Sequence, residues 1–182
     1  MEIDSIPTDR WASDVPSHWV LAAAAHFLTG GRVLDLACGG LRHSRLLAEL
    51  GFQVVAVDRS ERPATEAFGP HRERIEYRQI DLEVDSWPLA GELFEAIVVT
   101  NYLHRPVLPC LVSALVPGGV LVYETFEQGN EAFGRPTRPE FLLKPGELLD
   151  VLAPHLAILS YEHGQVLYPR RAVIQRIVAR RM

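Results

Sequence analysis

At 182 residues, 48% of them hydrophobic, the chain is long enough to bury one core of its own and gives no reason to expect two domains. A formal net charge of −5 argues against a broad basic surface for nucleic acid, and no run approaches the roughly 18 apolar residues of a membrane helix. The start, Met-Glu-Ile-Asp, lacks a basic-then-apolar export signal, and the pair Cys38 and Cys110 makes neither a disulfide framework nor a metal-type spacing, so a cytoplasmic protein without a metal is expected.

Residues 1–16 scatter Asp4, Asp9, Asp14, Pro7 and Pro16 among isolated apolar positions and read as an irregular arm; one domain then fills 17–182. Ser17 is placed to cap a helix from His18 to about Leu28, with Trp19, Val20, Ala23 and Phe27 on one face, until Thr29-Gly30-Gly31 stops it. The run Arg32 to Ser44 follows, and the remaining elements arrange themselves around it. Val33, Leu34 and Leu36 form a buried strand, Ala37-Cys38-Gly39-Gly40 a tight turn of small residues, and a helix runs from about Leu41 to Leu50 with Leu46, Leu47 and Leu50 inward. Gly39 or Gly40 can take a positive φ, and the free N–H groups of the helix start face the same spot. The spacing lacks the three glycines of a dinucleotide loop. Asp35 at the strand's carboxyl end suits a ligand with a cationic end, such as the amino group of S-adenosylmethionine; a structural turn is the plain alternative.

Phe52 to Asp58 is a second apolar run ending in an acid, at the interval where nucleotide-binding units place a ribose-binding carboxylate, though Asp58 could also be a turn residue. Ser60 is placed to cap a short helix, broken by Gly69-Pro70. Ile75 to Ile80 alternates as a strand and ends at Asp81-Leu82-Glu83; Leu93 to Thr100 reads as a central strand leading into Asn101-Tyr102-Leu103-His104-Arg105-Pro106. A helix over 106–116 ends at Pro117-Gly118-Gly119, and Val120 to Tyr123 is a further strand ending at Glu124. Residues 127–144 form a long Gly-, Pro- and charge-rich connection, a candidate substrate lid. A helix from Lys144 to about Leu152 and two strands, 157–162 and 172–179, close the chain; the arginines near the C-terminus read as a guarded sheet edge.

Val33-Leu34-Asp35-Leu36-Ala37-Cys38-Gly39, Val55-Ala56-Val57-Asp58 and Leu115-Val116-Pro117-Gly118-Gly119-Val120-Leu121 together resemble the class I S-adenosylmethionine-dependent methyltransferases, and within them the small tellurite-resistance-type branch, over roughly residues 11–180. Leu41 departs from that branch, which has glycine there. The resemblance implies an α/β fold: a doubly wound, Rossmann-like seven-stranded sheet, mostly parallel with an antiparallel last strand. It implies S-adenosyl-L-methionine held by Asp35, Ala37, Cys38, Gly39 and Gly40, by Asp58 at the ribose, by Asp81 and Leu82 at the adenine, and by Arg59, Thr100 and Asn101, with a capping or turn role for Asp81 as the alternative. The arm around Arg10 and Trp11 could fold over the cofactor, with simple packing of Trp11 on the domain as the plain alternative.

Methyl transfer from a sulfonium needs no acid, and needs a base only when the nucleophile arrives protonated. His104 is the best-placed base, with Tyr102 and Glu124 behind it and His43 and Tyr123 further candidates; Arg135 and Arg138 could meet an anionic small-molecule acceptor. A cofactor-binding regulatory module, a methyltransferase acting on a macromolecule and a nicotinamide oxidoreductase are the competing readings, and the oligomeric state is left open.

Overall fold

The computed structural model describes residues 14–182, so the expectations for Arg10 and Trp11 lie outside the described residues. Among the described residues seven strands form one sheet: β1 (Arg32–Leu36), β2 (Gln53–Asp58), β3 (Ile75–Gln79), β4 (Phe94–Thr100), β5 (Leu115–Phe126), β6 (Ala157–Val166) and β7 (Ala172–Arg180). Their order is β3-β2-β1-β4-β5-β7-β6. All neighbours from β3 to β5 are parallel, and β7 runs antiparallel between β5 and β6. The expected doubly wound sheet is therefore present, with its antiparallel strand.

Strand periodicity divides the core in two. Successive side chains point to opposite faces. Val33, Val54, Ala56, Ala96, Val98, Val120 and Val122 pack on one face with α1 (His18–Ala23) and α2 (Arg42–Glu49). Leu34, Leu36, Val55, Val57, Ile97, Val99, Leu121 and Tyr123 pack on the other with α3 (Leu108–Ser113) and α4 (Glu147–Leu152). Apolar residues on both faces of β1, β2, β4 and β5 are what a buried parallel sheet requires.

The helices are shorter than the sequence suggests. α1 gives way to a 3₁₀ turn at Ala24–His26, and the expected 106–116 helix divides into a 3₁₀ turn (Arg105–Val107) and α3. β5 begins at Leu115, ahead of the expected Val120, and its pairing with β4 shifts register between Phe94 and Ala96. Pro117-Gly118-Gly119 thus lies within a strand at a bulge; it is not a helix stop. Between Ser60 and Gly69 there is no α-helix, only a 3₁₀ turn at Thr65–Phe68, and Ser60 bonds the Asp58 carboxylate through both its N–H and its hydroxyl and does not cap a helix. On α2 the inward residues are His43, Ser44, Leu47 and Ala48, and Leu50 at the C-cap faces solvent.

Candidate functional site

The turns at the carboxyl ends of β1 to β5 enclose a cavity of about 780 Å³, within the range of small-molecule sites. Its walls are Ala37 after β1, Asp58 and Arg59 at β2, Ile80, Asp81, Leu82 and Glu83 after β3, and Asn101, Tyr102 and Leu103 after β4. Thr125 and Phe126 of β5 and Arg135, Pro136, Thr137, Arg138 and Phe141 complete them.

The β1 turn is built from left-handed backbone. Ala37, Gly39 and Leu41 have φ of 55°, 51° and 67°. The Cys38 N–H donates to the Val57 carbonyl (3.0 Å), and the Leu41 N–H to the Cys38 carbonyl (3.1 Å). Leu41 thus keeps the backbone conformation that its glycine counterpart would take. Left-handed backbone costs a side-chain-bearing residue roughly 1–2 kcal/mol. The Leu41 side chain is fully buried in the α1/α2 core, which returns about 1.5–3 kcal/mol. It points away from the cavity, so the departure from glycine does not crowd the site.

Asp58 anchors this turn and also faces the cavity. Its Oδ2 accepts from the Gly39 N–H (2.9 Å) and its Oδ1 from the Ser60 N–H (2.9 Å). Burial opposes its ionisation, but the Ser60 and Gly39 N–H groups outweigh this and hold its pKa below the ordinary value. Each oxygen retains acceptor capacity for a ligand hydroxyl. Asp81 is similar: its Oδ1 accepts from the Glu83 N–H (2.9 Å) while the residue lines the cavity.

Three expected site residues are not among the cavity walls. The cavity opens on the α3/α4 side, where Leu82, Leu103 and Tyr123 pack. Asp35, Thr100 and Glu124 occupy the alternate parity and point toward α1 and α2. Asp35 is 1% exposed, and its Oδ2 accepts from Ser44 Oγ at 2.5 Å. Burial pushes its pKa up to about 6. It does not meet the cavity. Thr100 meets His43, whose Nε2 accepts from the Ser17 N–H (3.1 Å), leaving a protonated Nδ1 to donate to Thr100 Oγ1 (3.3 Å). Burial and the neighbouring Arg42 lower the His43 pKa to about 3. This ring is a neutral link among α1, α2 and β4, not a base. Glu124 pairs with Arg176 (3.6 Å), which also pairs with Glu162 (2.6 Å) and covers the Trp19 ring at 4.7 Å.

Cys38 is buried beneath the turn, and Gly39 and Gly40 lie exposed outside the cavity walls. His104 begins the turn at Arg105–Val107 and is not a wall residue, since Tyr102 and Leu103 take those places. Tyr102 reaches the cavity with its hydroxyl buried and without a hydrogen-bond partner among the described residues. Burial, with Glu83 and Asp81 nearby, pushes its pKa up to about 12. It is therefore a hydrogen-bond donor at neutral pH, not the base expected. The Tyr102 carbonyl accepts from Tyr123 Oη (2.8 Å), which fixes the turn.

Residues 127–144 form the opposite wall and are strapped down. Asn130, 1% exposed, accepts from the Val173 N–H (3.2 Å) and donates to the Pro136 carbonyl (3.3 Å). Arg105 donates to the carbonyls of Glu140 (3.0 Å) and Leu142 (2.9 Å) while pairing with Glu147 (2.5 Å). Gln175 Nε2 donates to the Lys144 carbonyl (2.5 Å). The candidate lid is a fixed wall in this structure. Sequence reasoning missed Glu83, Thr125, Thr137 and Phe141 as wall residues; alternation along β5 from the buried Tyr123 could have found Thr125.

Residues 33–119 match the sequence model of the family described as a methyltransferase domain. The trans-aconitate 2-methyltransferase of Delftia acidovorans is 29% identical over 84% of this chain, which spans 59% of that protein's length. TehB from Haemophilus influenzae shares the fold with a TM-score of 0.67 at 20% identity, covering 90% of this chain and 61% of that one. The 1,6-didemethyltoxoflavin-N1-methyltransferase of Burkholderia thailandensis, solved with S-adenosylhomocysteine, shares it with a TM-score of 0.65 at 22% identity, covering 96% of this chain and 81% of that one.

Proposed function

We propose, from the premise that this chain is a class I S-adenosylmethionine-dependent methyltransferase in family and fold, that it methylates a small-molecule acceptor. The observation that carries this reading is the cavity itself, which joins the Asp58, Asp81 and Leu82 positions to a second wall at 125–141. The first set suits an adenosine: Asp58 accepts two ribose hydroxyls, Asp81 accepts the adenine amino group, and Leu82 packs on the ring. The Ala37 turn lets the backbone approach the methionine end, and Asn101 and Tyr102 lie toward the acceptor. Arg135 and Arg138 face the acceptor from the far wall.

When bound, S-adenosylmethionine supplies a sulfonium-activated methyl group. The protein's part is to hold nucleophile and methyl in line, and such positioning can supply about 7–11 kcal/mol. Tyr102, kept protonated, donates a hydrogen bond and orients the acceptor; His104 and Glu124 take no part. A cytoplasmic enzyme whose acceptor is already nucleophilic fits this arrangement.

Calorimetry with S-adenosylmethionine and S-adenosylhomocysteine, against NAD as control, tests the cofactor. Acceptor-dependent release of S-adenosylhomocysteine across a metabolite and chalcogen-oxyanion panel tests the reaction. Heat with NAD alone would return the oxidoreductase reading, and cofactor binding without release for any small molecule would favour the regulatory module or a macromolecular acceptor.

A further inference from the structure

Charge is segregated across the cavity. The β2 and β3 turns contribute Asp58, Asp81 and Glu83 against Arg59, while the far wall contributes Arg135 and Arg138. The cationic side extends behind that wall. Residues 127–144 and 167–171 hold Arg135, Arg138, Lys144, Arg170 and Arg171 against Glu127, Glu131 and Glu140, in a chain whose net charge is −5. Glu140 is paired with Arg138, and Glu131 accepts from the Gly129 N–H (2.8 Å).

Arg135 differs from its neighbour. Its guanidinium makes no ion pair among the described residues, while its backbone is held on both sides. Its carbonyl accepts from Arg170 (3.4 Å), and the flanking Gly134 and Pro136 carbonyls accept from Asn130 (3.5 and 3.3 Å). Arg135 lines the cavity from a held backbone together with Phe126, Phe141, Thr125 and Thr137, while Arg170 and Arg138 lie over the Phe126 and Phe141 rings at 5.5 and 5.2 Å. A guanidinium forks onto the two oxygens of a carboxylate, and a neutral group leaves it without a partner of matching charge.

The geometry points to a carboxylate-bearing acceptor with a flat apolar body, its body against Phe126 and Phe141 and its carboxylate paired by Arg135, which makes Arg135 a specificity-determining residue. This deepens the methyltransferase reading and rests on it for the identity of the cavity.

Benzoate and benzamide, matched in shape and different in charge, are the probes. Calorimetry is run on the full chain with and without saturating S-adenosylhomocysteine, at low and at physiological salt. Benzoate is expected to bind at least about tenfold more tightly than benzamide, a margin of roughly 1.4 kcal/mol, with the margin shrinking as salt rises. In Arg135→Gln, which keeps the backbone straps and removes the charge, the two probes should bind within about twofold of each other. Equal affinities in the unaltered protein, no binding of either probe, or a preference that survives Arg135→Gln overturns the proposal. The S-adenosylhomocysteine titration on the same samples separates the two claims. A benzoate preference with no S-adenosylhomocysteine heat supports the carboxylate site and sinks the cofactor reading; the reverse pattern sinks the carboxylate site alone.

Discussion

The two walls of the cavity are made in different ways. The wall at 37–60 is the end of a sheet: Ala37 and Asp58 stand where β1 and β2 stop, and backbone N–H groups shape the turn between them. The wall at 125–141 leaves the sheet at Phe126 and is held by side chains, with Asn130, Arg105 and Gln175 tying its carbonyls and amides to β7 and to the turn after β4. A ligand site common to a fold can be carried by strand register. A site that differs among relatives needs a wall whose sequence can change without disturbing that register. The difference implies that substitutions should sort cleanly into those that touch cofactor and those that touch acceptor.

The largest expected effect concerns the acid buried behind the sheet-end wall, on the α1/α2 side. Asp35 has a folded-state pKa near 6, raised from 3.8 by burial. Such an acid contributes stability at low pH that is lost as pH rises through the folded pKa. A rise of that size corresponds to about 3 kcal/mol. Asp35→Asn should therefore be more stable than the unaltered protein above about pH 6 and nearly equal to it below about pH 4, by denaturant melts at each pH. A loss of stability at high pH would mean that the carboxylate is needed charged.

Next comes Asn130→Ala, which strips three bonds from the strapped wall and leaves the Val173 N–H unmatched. A cost of roughly 1–3 kcal/mol follows, together with faster protease cleavage within 127–144. Affinity for S-adenosylhomocysteine should stay within about twofold, and a larger drop would show that the walls are not independent. Asp58→Asn tests the other side. Losing a charge-assisted bond to a ribose hydroxyl should weaken cofactor binding at least about tenfold while leaving the 127–144 cleavage pattern alone. The smallest effect is expected from His104→Ala: kcat and the pH profile should be unchanged, and a lost basic limb would restore His104 as a base.

The sheet was readable because β1, β2, β4 and β5 are apolar on both faces and end in acids or small residues. Asp58, Asp81 and Leu82 were readable as cavity walls for the same reason, since they stand at or just after strand ends. Asp35, Thr100 and Glu124 lie outside the walls because Ser44, His43 and Arg176 engage them, partners that no run of apolar neighbours reveals. His104 and the 3₁₀ turns were lost to tertiary choices: the Ser60 hydroxyl could cap a helix or bind Asp58, and the sequence does not rank the two. The straps were invisible because Asn130, Arg105 and Gln175 act on partners 27 to 43 residues away.

Val173 and Gln175 belong to β7, the last strand made. Their grip on residues 127–148 gives the protein a direction in time. A chain emerging from the ribosome can pair β1 to β4 and form the sheet-end wall before the distal wall has anything to lean on, because β7 must be threaded between β5 and β6 afterwards. Non-local pairings of this kind form late. Until residue 175 has left the ribosome, the nascent protein holds half a cavity: the sheet-end wall is in place and the side at 127–144 stands open.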